Sequence, residues 1–227
     1  MICLNKASQS TKKYKHSFTR AFLHAARLII LAVLAALVPV FSACRNDQPA
    51  VLSYEPNVLF PSQLSGFAKD KKIYLTSIGQ SVEIIQLMLT MNTFDGLEYT
   101  EDNLLEADEV EEGSVVFIVV GCSIKSLTEN GLTKESETER AQAFIDRAAD
   151  GDFGLVCWHL GGVARRGATS DSLIELLFGN CDLALFKAEG NYDNKLSDWA
   201  ISGNVPYCQF QTNATDMLSR LLGVTDV

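Results

Sequence analysis

Six consecutive residues, Val115-Val-Phe-Ile-Val-Val120, carry no polar side chain, and five of the six are β-branched. A strand with one wet face alternates apolar and polar residues. An unbroken β-branched run instead fits a strand buried on both faces, as in a parallel sheet covered by helices on each side.

The rest of the chain after Lys72 supports that reading, because short apolar runs alternate with stretches of helical period. Strands are expected at Ile73–Thr76, Gly154–His159, Leu183–Lys187 and Pro206–Gln211, with a further short one at Leu97–Thr100. Helices are expected over about 81–91, with Val82, Ile85 and Leu89 on one face, and over 135–149, 171–178, 195–201 and 214–222. The acidic stretch Glu101–Glu112 reads as a solvated loop or helical turn. Strand–helix alternation at this spacing implies right-handed βαβ units. The expected fold is therefore α/β: a three-layer, Rossmann-like or flavodoxin-like domain with a mostly parallel sheet of five or six strands.

Composition divides the chain at Cys44. Residues 1–44 hold six Lys or Arg and no Asp or Glu, and an apolar run from Leu28 to Phe41 leads into Ser42-Ala43-Cys44. A basic segment, an apolar segment and small residues before a cysteine are the parts of an export signal. The run is short for a stable membrane span and Pro39 interrupts its end. The Ser-Ala-Cys ending resembles the lipobox of bacterial lipoproteins, although Phe41 stands where that motif usually has Leu. The resemblance implies a signal peptide over residues 1–43, a diacylglyceryl group on Cys44 and a membrane attachment through that lipid. Residues 44–71 are polar, contain Pro49, Pro56 and Pro61, and read as a tether with a packed end around Val58–Phe60. The α/β domain then occupies residues 72–227.

Of the chain's 19 basic residues six precede Cys44, leaving 13 against 28 acidic ones, a net charge of −15 after the signal. This excludes the broad basic face of a nucleic-acid binder. It also argues against attraction of the folded domain to anionic lipid. Cys122, Cys157, Cys181 and Cys208 lie in or beside apolar runs without a CxxC pair, and are expected as buried thiols. His159 is the one histidine after the signal, so no histidine metal cage can form and no metal or cofactor is expected.

Ligands of open parallel sheets bind beyond the carboxyl ends of the strands. The strand exits here are Thr76-Ser-Ile-Gly-Gln-Ser81, Gly121-Cys-Ser-Ile-Lys125, His159-Leu-Gly-Gly-Val-Ala-Arg-Arg-Gly167 and Glu189-Gly-Asn-Tyr-Asp193. All four are rich in glycine, hydroxyl, amide or charged groups, and the fold should gather them on one rim. Each has a structural explanation as well. Ser77 and Gln80 have capping-box spacing, and Ser81 or Asp171 could cap helices. Neither GxGxxG nor GxxxxGK[ST] occurs. Gly161 and Gly162 before Arg165 and Arg166 form the sharpest cluster, since glycine admits a ligand and arginine grips carboxylate or phosphate. The competing expectation is that the arginines pair with the domain's own acids, Asp171 or Glu189, and adjacent side chains diverge.

Thr76-Ser-Ile-Gly-Gln-Ser81 together with His159-Leu-Gly-Gly-Val-Ala-Arg-Arg-Gly-Ala-Thr-Ser-Asp171 resembles a family of exported bacterial proteins described only as a domain of unknown function. The similarity covers most of Lys72–Gly223. It implies export and shared site positions, and supplies no reaction.

The leading expectation is a lipid-anchored extracytoplasmic protein that binds a small anionic or polar solute and hands it to a membrane transporter or sensor. Arg165, Arg166, Lys125 and the helix amides near Ser81 would supply positive charge and donors. Ser77, Gln80, Ser123, His159 and Glu189 would orient polar groups, and Gly79, Gly161 and Gly162 would admit them. An enzyme is the second reading: a hydrolase or transferase with His159 as general base and Ser77, Ser81 or Ser123 as nucleophile. A purely structural envelope protein is the third.

Overall fold

The computed structural model describes residues 60–211 and 214–224. The expected signal peptide, Cys44 and most of the expected tether lie outside the described residues. No helix among the described residues is long and apolar enough to cross a membrane.

Six parallel strands form one sheet: β1 (Ile73–Ile78), β2 (Thr100–Glu101), β3 (Val115–Val120), β4 (Gly154–His159), β5 (Leu183–Lys187) and β6 (Tyr207–Phe210). Their spatial order is β2-β1-β3-β4-β5-β6. The helices are α1 (Ile84–Met91), α2 (Ile124–Glu129), α3 (Lys134–Ala149), α4 (Ala168–Phe178), α5 (Lys195–Ser202) and α6 (Thr215–Leu222). The chain runs outward in one direction from β1 to β2 and in the other from β3 to β6. A switch point therefore lies between β1 and β3, the flavodoxin-like arrangement.

The Val-rich run is β3, and all six of its residues are buried. Val116, Ile118 and Val120 join one core with Phe144 of α3, Leu173 and Leu177 of α4, and Leu196 of α5. Val115, Phe117 and Val119 join the other, with Leu87 and Met91 of α1 and Leu218 and Leu221 of α6. Alternate side chains thus feed two cores, and three layers result. At about 25 cal/mol per Å² of apolar surface, this double burial is the main favourable contribution to the fold.

Two features refine the expected picture. Phe60 and Ala68 are buried, and the Gly66 and Ala68 amides donate to the Arg220 and Leu221 carbonyls, so the packed chain begins before Lys72. On α1 the stripe facing the sheet is Ile84, Leu87 and Met91, while Val82, Ile85 and Leu89 stay 42%, 52% and 61% exposed. Both stripes have helical spacing. The exit from β1 sets the phase, and that is invisible to periodicity.

The two stripes predict opposite responses to mutation. Leu87→Ala should lower unfolding stability by about 2–5 kcal/mol, as buried Leu truncations do. Leu89→Ser should stay within about 0.5 kcal/mol. Urea titrations followed by circular dichroism distinguish them.

Candidate functional site at the carboxyl edge of the sheet

The exit of β1 is held from below by a buried ion pair on α3. Glu137 and Arg140 are 0% and 5% exposed, and Arg140 Nε and Nη2 donate to the Glu137 carboxylate at 3.0 and 2.9 Å. The pair's remaining bonds go mainly to the backbone, with Arg140 Nη1 also 3.4 Å from Thr76 Oγ1. The Gly79 amide donates to Glu137 Oε2 at 2.6 Å, and Arg140 donates to the Ser77 and Leu105 carbonyls at 2.5 and 3.0 Å. A buried charge pair is tolerable only when such bonds satisfy it.

Above this pair the β1 and β3 exits are zipped together. Gly121 N–H donates to Ile78 O at 3.1 Å and Ser123 N–H to Gly79 O at 2.9 Å. A Cβ on Gly79, which has φ +81°, would sit 2.5 Å from the Gly121 carbonyl oxygen. Gly79 is thus required by the closeness of the two loops as well as by its left-handed backbone. The crevice at the switch point is filled by the protein itself.

The expected site residues divide by what they already touch. Ser77 donates to Asn103 Oδ1 at 3.2 Å, and buried Gln80 donates to Asn103 O at 3.1 Å and accepts from Asn130 at 3.3 Å. Neither caps α1. Ser123 caps α2, accepting from the Ser126 amide at 3.3 Å. Lys125 is 84% exposed and lies 3.6 Å from Glu129 one helical turn on. Ser81 donates to Glu83 Oε2 at 2.7 Å. Glu189 is exposed and stands across from Gly162.

The two arginines diverge as expected, with different fates. The Arg166 side chain is 2% exposed; Nε and Nη2 address Asp171 at 2.7 and 3.3 Å, Nη1 and Nη2 address Asp193 at 3.1 and 3.2 Å, and Nη1 donates to Gly190 O at 2.5 Å. All five guanidinium donors are used, and Tyr192 and Trp199 flank the plane. Arg166 is a structural tie and has nothing left for a ligand. Burial acts to lower its pKa, but the bonds to Asp171 and Asp193 outweigh burial and hold it above the ordinary arginine value. Burial likewise acts to raise Asp171, and the Arg166 bonds hold its carboxyl below the usual range. Arg165 spends only Nε, on Glu83 Oε1 at 2.5 Å, with its side chain 38% exposed. Its two Nη groups have no partner among the described residues. The Arg165 stem crosses Gly161, where any Cβ would collide with it.

His159 is fully buried, with Nδ1 3.1 Å from Val120 O and Nε2 3.4 Å from Gly162 O. Burial pushes its pKa below the usual value and outweighs the two carbonyls. A neutral ring donates through one nitrogen, and both nitrogens face backbone oxygens, with no serine hydrogen-bonded to either among the described residues. The relay that a His159 general base needs is not assembled here. Thiol nucleophiles fare no better. Burial raises Cys122, Cys157 and Cys208, Cys208 to about 12, and Cys157 is raised further by neighbouring Cys181. Cys122, Cys157 and Cys181 are free thiols, and no metal-binding group of His, Cys, Asp or Glu occurs among the described residues.

Among the described residues, clefts adjoin both ends of the sheet. A depression of about 460 Å³ lies at the amino ends of the strands and is lined by both Lys69 and Lys71 and Asp70, Asp95 and Glu98. The smaller, about 270 Å³, opens at the carboxyl edge between α1 and the ends of β4–β6. Parallel sheets take ligands at their carboxyl ends, which favours the second despite its size.

Sequence reasoning missed Glu83, Glu137 and Arg140. The last two were within reach, because both fall on the stripe of α3 that carries Ala141, Phe144 and Ile145. A charge placed on a buried helix face needs a partner.

A family model described as a domain of unknown function (DUF6305) matches residues 70–221, more than half of the chain. The chain belongs to that family. The matched span runs from just before β1 into α6 and includes every exit loop described above. No curated protein and no solved structure matches the chain.

Two stability predictions follow from the site's interior. Glu137→Gln or Arg140→Met should each cost about 3–5 kcal/mol in denaturant titrations, since each strands a buried charge. His159 is held below its unfolded value of 6.5, so its stabilisation is complete above that pH and is lost as pH falls toward the folded-state value. Melting curves of His159→Asn should lack that acidic step, while the later acid loss that depends on Asp171 remains.

Proposed function

We propose that the protein is a lipid-anchored extracytoplasmic protein that binds a small anionic or polar solute at the carboxyl edge of its sheet. The observation that carries this reading is Arg165. In a chain whose post-signal region bears a net −15, carboxylates are plentiful. Yet this half-exposed guanidinium uses one donor on Glu83 and leaves both Nη groups unpaired among the described residues. Two Nη groups presented together suit an oxyanion.

The surroundings favour the same ligand. The internal ladder of α1 begins with Ile84 N–H on Ser81 O, so the Ser81, Val82 and Glu83 amides precede it with no acceptor among the described residues. Amides at a helix start attract negative charge. Glu83 and Ser81 link those amides to Arg165 through 2.5 and 2.7 Å bonds, which pre-orders the arginine before any ligand arrives. Long-range repulsion from the acidic domain is screened within about 8–10 Å in physiological salt, so local groups govern the contact.

Membrane attachment rests on the lipobox-like Ser42-Ala43-Cys44 and the basic-then-apolar segment before it. A tethered binder at a membrane surface would serve a transporter or sensor there.

Isothermal titration of the full chain against inorganic phosphate, sulfate and small carboxylates tests the binding. At least one should bind, and Arg165→Ala should weaken it about tenfold or more, the usual scale of a charge-assisted contact. Absence of binding to all of them would leave a structural protein. Metabolic labelling with palmitate tests the anchor: the wild type should incorporate label and Cys44→Ala should not. An unlabelled wild type removes the anchor from the account.

A further inference from the structure

The cleft of about 270 Å³ shares the rim with Arg165 but has its own chemistry. Among the described residues it is lined by Gln86, Leu89 and Thr90 of α1, Leu160 after β4, Lys187 at the end of β5, Phe210 at the end of β6, and Ala214 before α6. Leu160, Phe210 and Ala214 are buried and give it an apolar floor. Leu89, 61% exposed, gives it an apolar wall for which the core has no use.

One cation sits in this lining. Lys187 is half-buried and takes part in no ion pair among the described residues, although the domain is strongly acidic. No carboxylate lines the cleft among the described residues. A lysine that buries its stem along apolar surface without a counter-ion has a charge to share with an incoming anion. Gln86 adds an exposed amide. Thr90 donates its hydroxyl to Gln86 O at 2.9 Å, so its oxygen is left to accept.

This lining selects among anions. A phosphate is strongly hydrated and rewards several donors or an arginine fork; here it would meet one flexible ammonium and four apolar side chains. A cation would be repelled by Lys187. A neutral apolar molecule would strip water from the ammonium and return nothing. A carboxylate carrying a compact apolar body satisfies both halves. The space is equivalent to about nine waters at roughly 30 Å³ each, enough for a short acyl or aryl acid.

The geometry points to a second binding site on this rim, distinct from Arg165: a seat for a small apolar monocarboxylate, with its carboxylate on Lys187 and Gln86 and its body on Leu89, Leu160 and Phe210. Trp158 lies beneath it, packed edge-on against Phe210 with ring centroids 6.4 Å apart.

The test is calorimetric titration of the full chain in neutral detergent with linear monocarboxylates from acetate to octanoate, their primary amides, and inorganic phosphate. Affinity should rise about fourfold per added methylene until the cleft is full, as apolar burial requires. Each amide should bind at least tenfold more weakly than its acid. Lys187→Met should erase that difference and Leu89→Glu, on an exposed position that folding does not need, should weaken every acid. Arg165→Ala should leave the chain-length dependence intact. Carboxylates that bind without chain-length dependence, or equally well in Lys187→Met, overturn the inference. Should phosphate still bind wild type and fail on Arg165→Ala in that case, the rim reading survives alone; should no probe bind, both fall.

Discussion

The carboxyl edge of this domain depends on one buried ion pair. Glu137 and Arg140, two charges on the apolar stripe of α3, are tolerable there because the β1 exit supplies them with an amide and a carbonyl, and the Leu105 loop supplies another carbonyl. The exchange is mutual. The exit loop, which carries Gly79 in a left-handed conformation next to Gly121, acquires a fixed anchor beneath it. Every later group on the rim is placed relative to that loop: Ser81 and Glu83 through the chain, Arg165 through Glu83, and the β3 exit through the Ser123 amide.

Two adjacent arginines show how such a rim sorts function from support. Arg166 is saturated by Asp171, Asp193 and Gly190 and flanked by Tyr192 and Trp199, so it fastens the β4 exit to the β5 exit. Arg165 points the other way, toward α1, and keeps two donor groups open. The rim is accordingly rigid where charges are balanced and receptive where one is not. His159 belongs to the rigid part: it is a neutral, buried ring between the Val120 and Gly162 carbonyls, joining the β3 exit to the glycine pair.

Much of this fold was legible in the sequence because its strands are buried on both faces. Val115–Val120, Gly154–His159 and Leu183–Lys187 have in the structure the bounds their apolar runs suggest. Convergence of the exit loops followed from the parallel sheet alone. What was not legible came from long-range pairing and phase. Glu83 meets Arg165 across 82 residues and Gly79 meets Glu137 across 58, separations over which no local pattern speaks. The apolar residues Val82, Ile85 and Leu89 share one helical face, yet Ile84, Leu87 and Met91 are the ones packed on the sheet. The exposed face is informative, since Leu89 reappears as a wall of the carboxyl-edge cleft.

The most direct test of the account is a two-dimensional amide NMR titration of the ¹⁵N-labelled protein with a small oxyanion such as phosphate or acetate. Proposed binding on Arg165 predicts that the Ser81, Val82 and Glu83 amides shift together with those of Gly161 and Gly162, while the depression near Lys69 and Lys71 stays still. Shifts confined to that opposite edge, or none anywhere, would contradict a ligand site on the carboxyl rim.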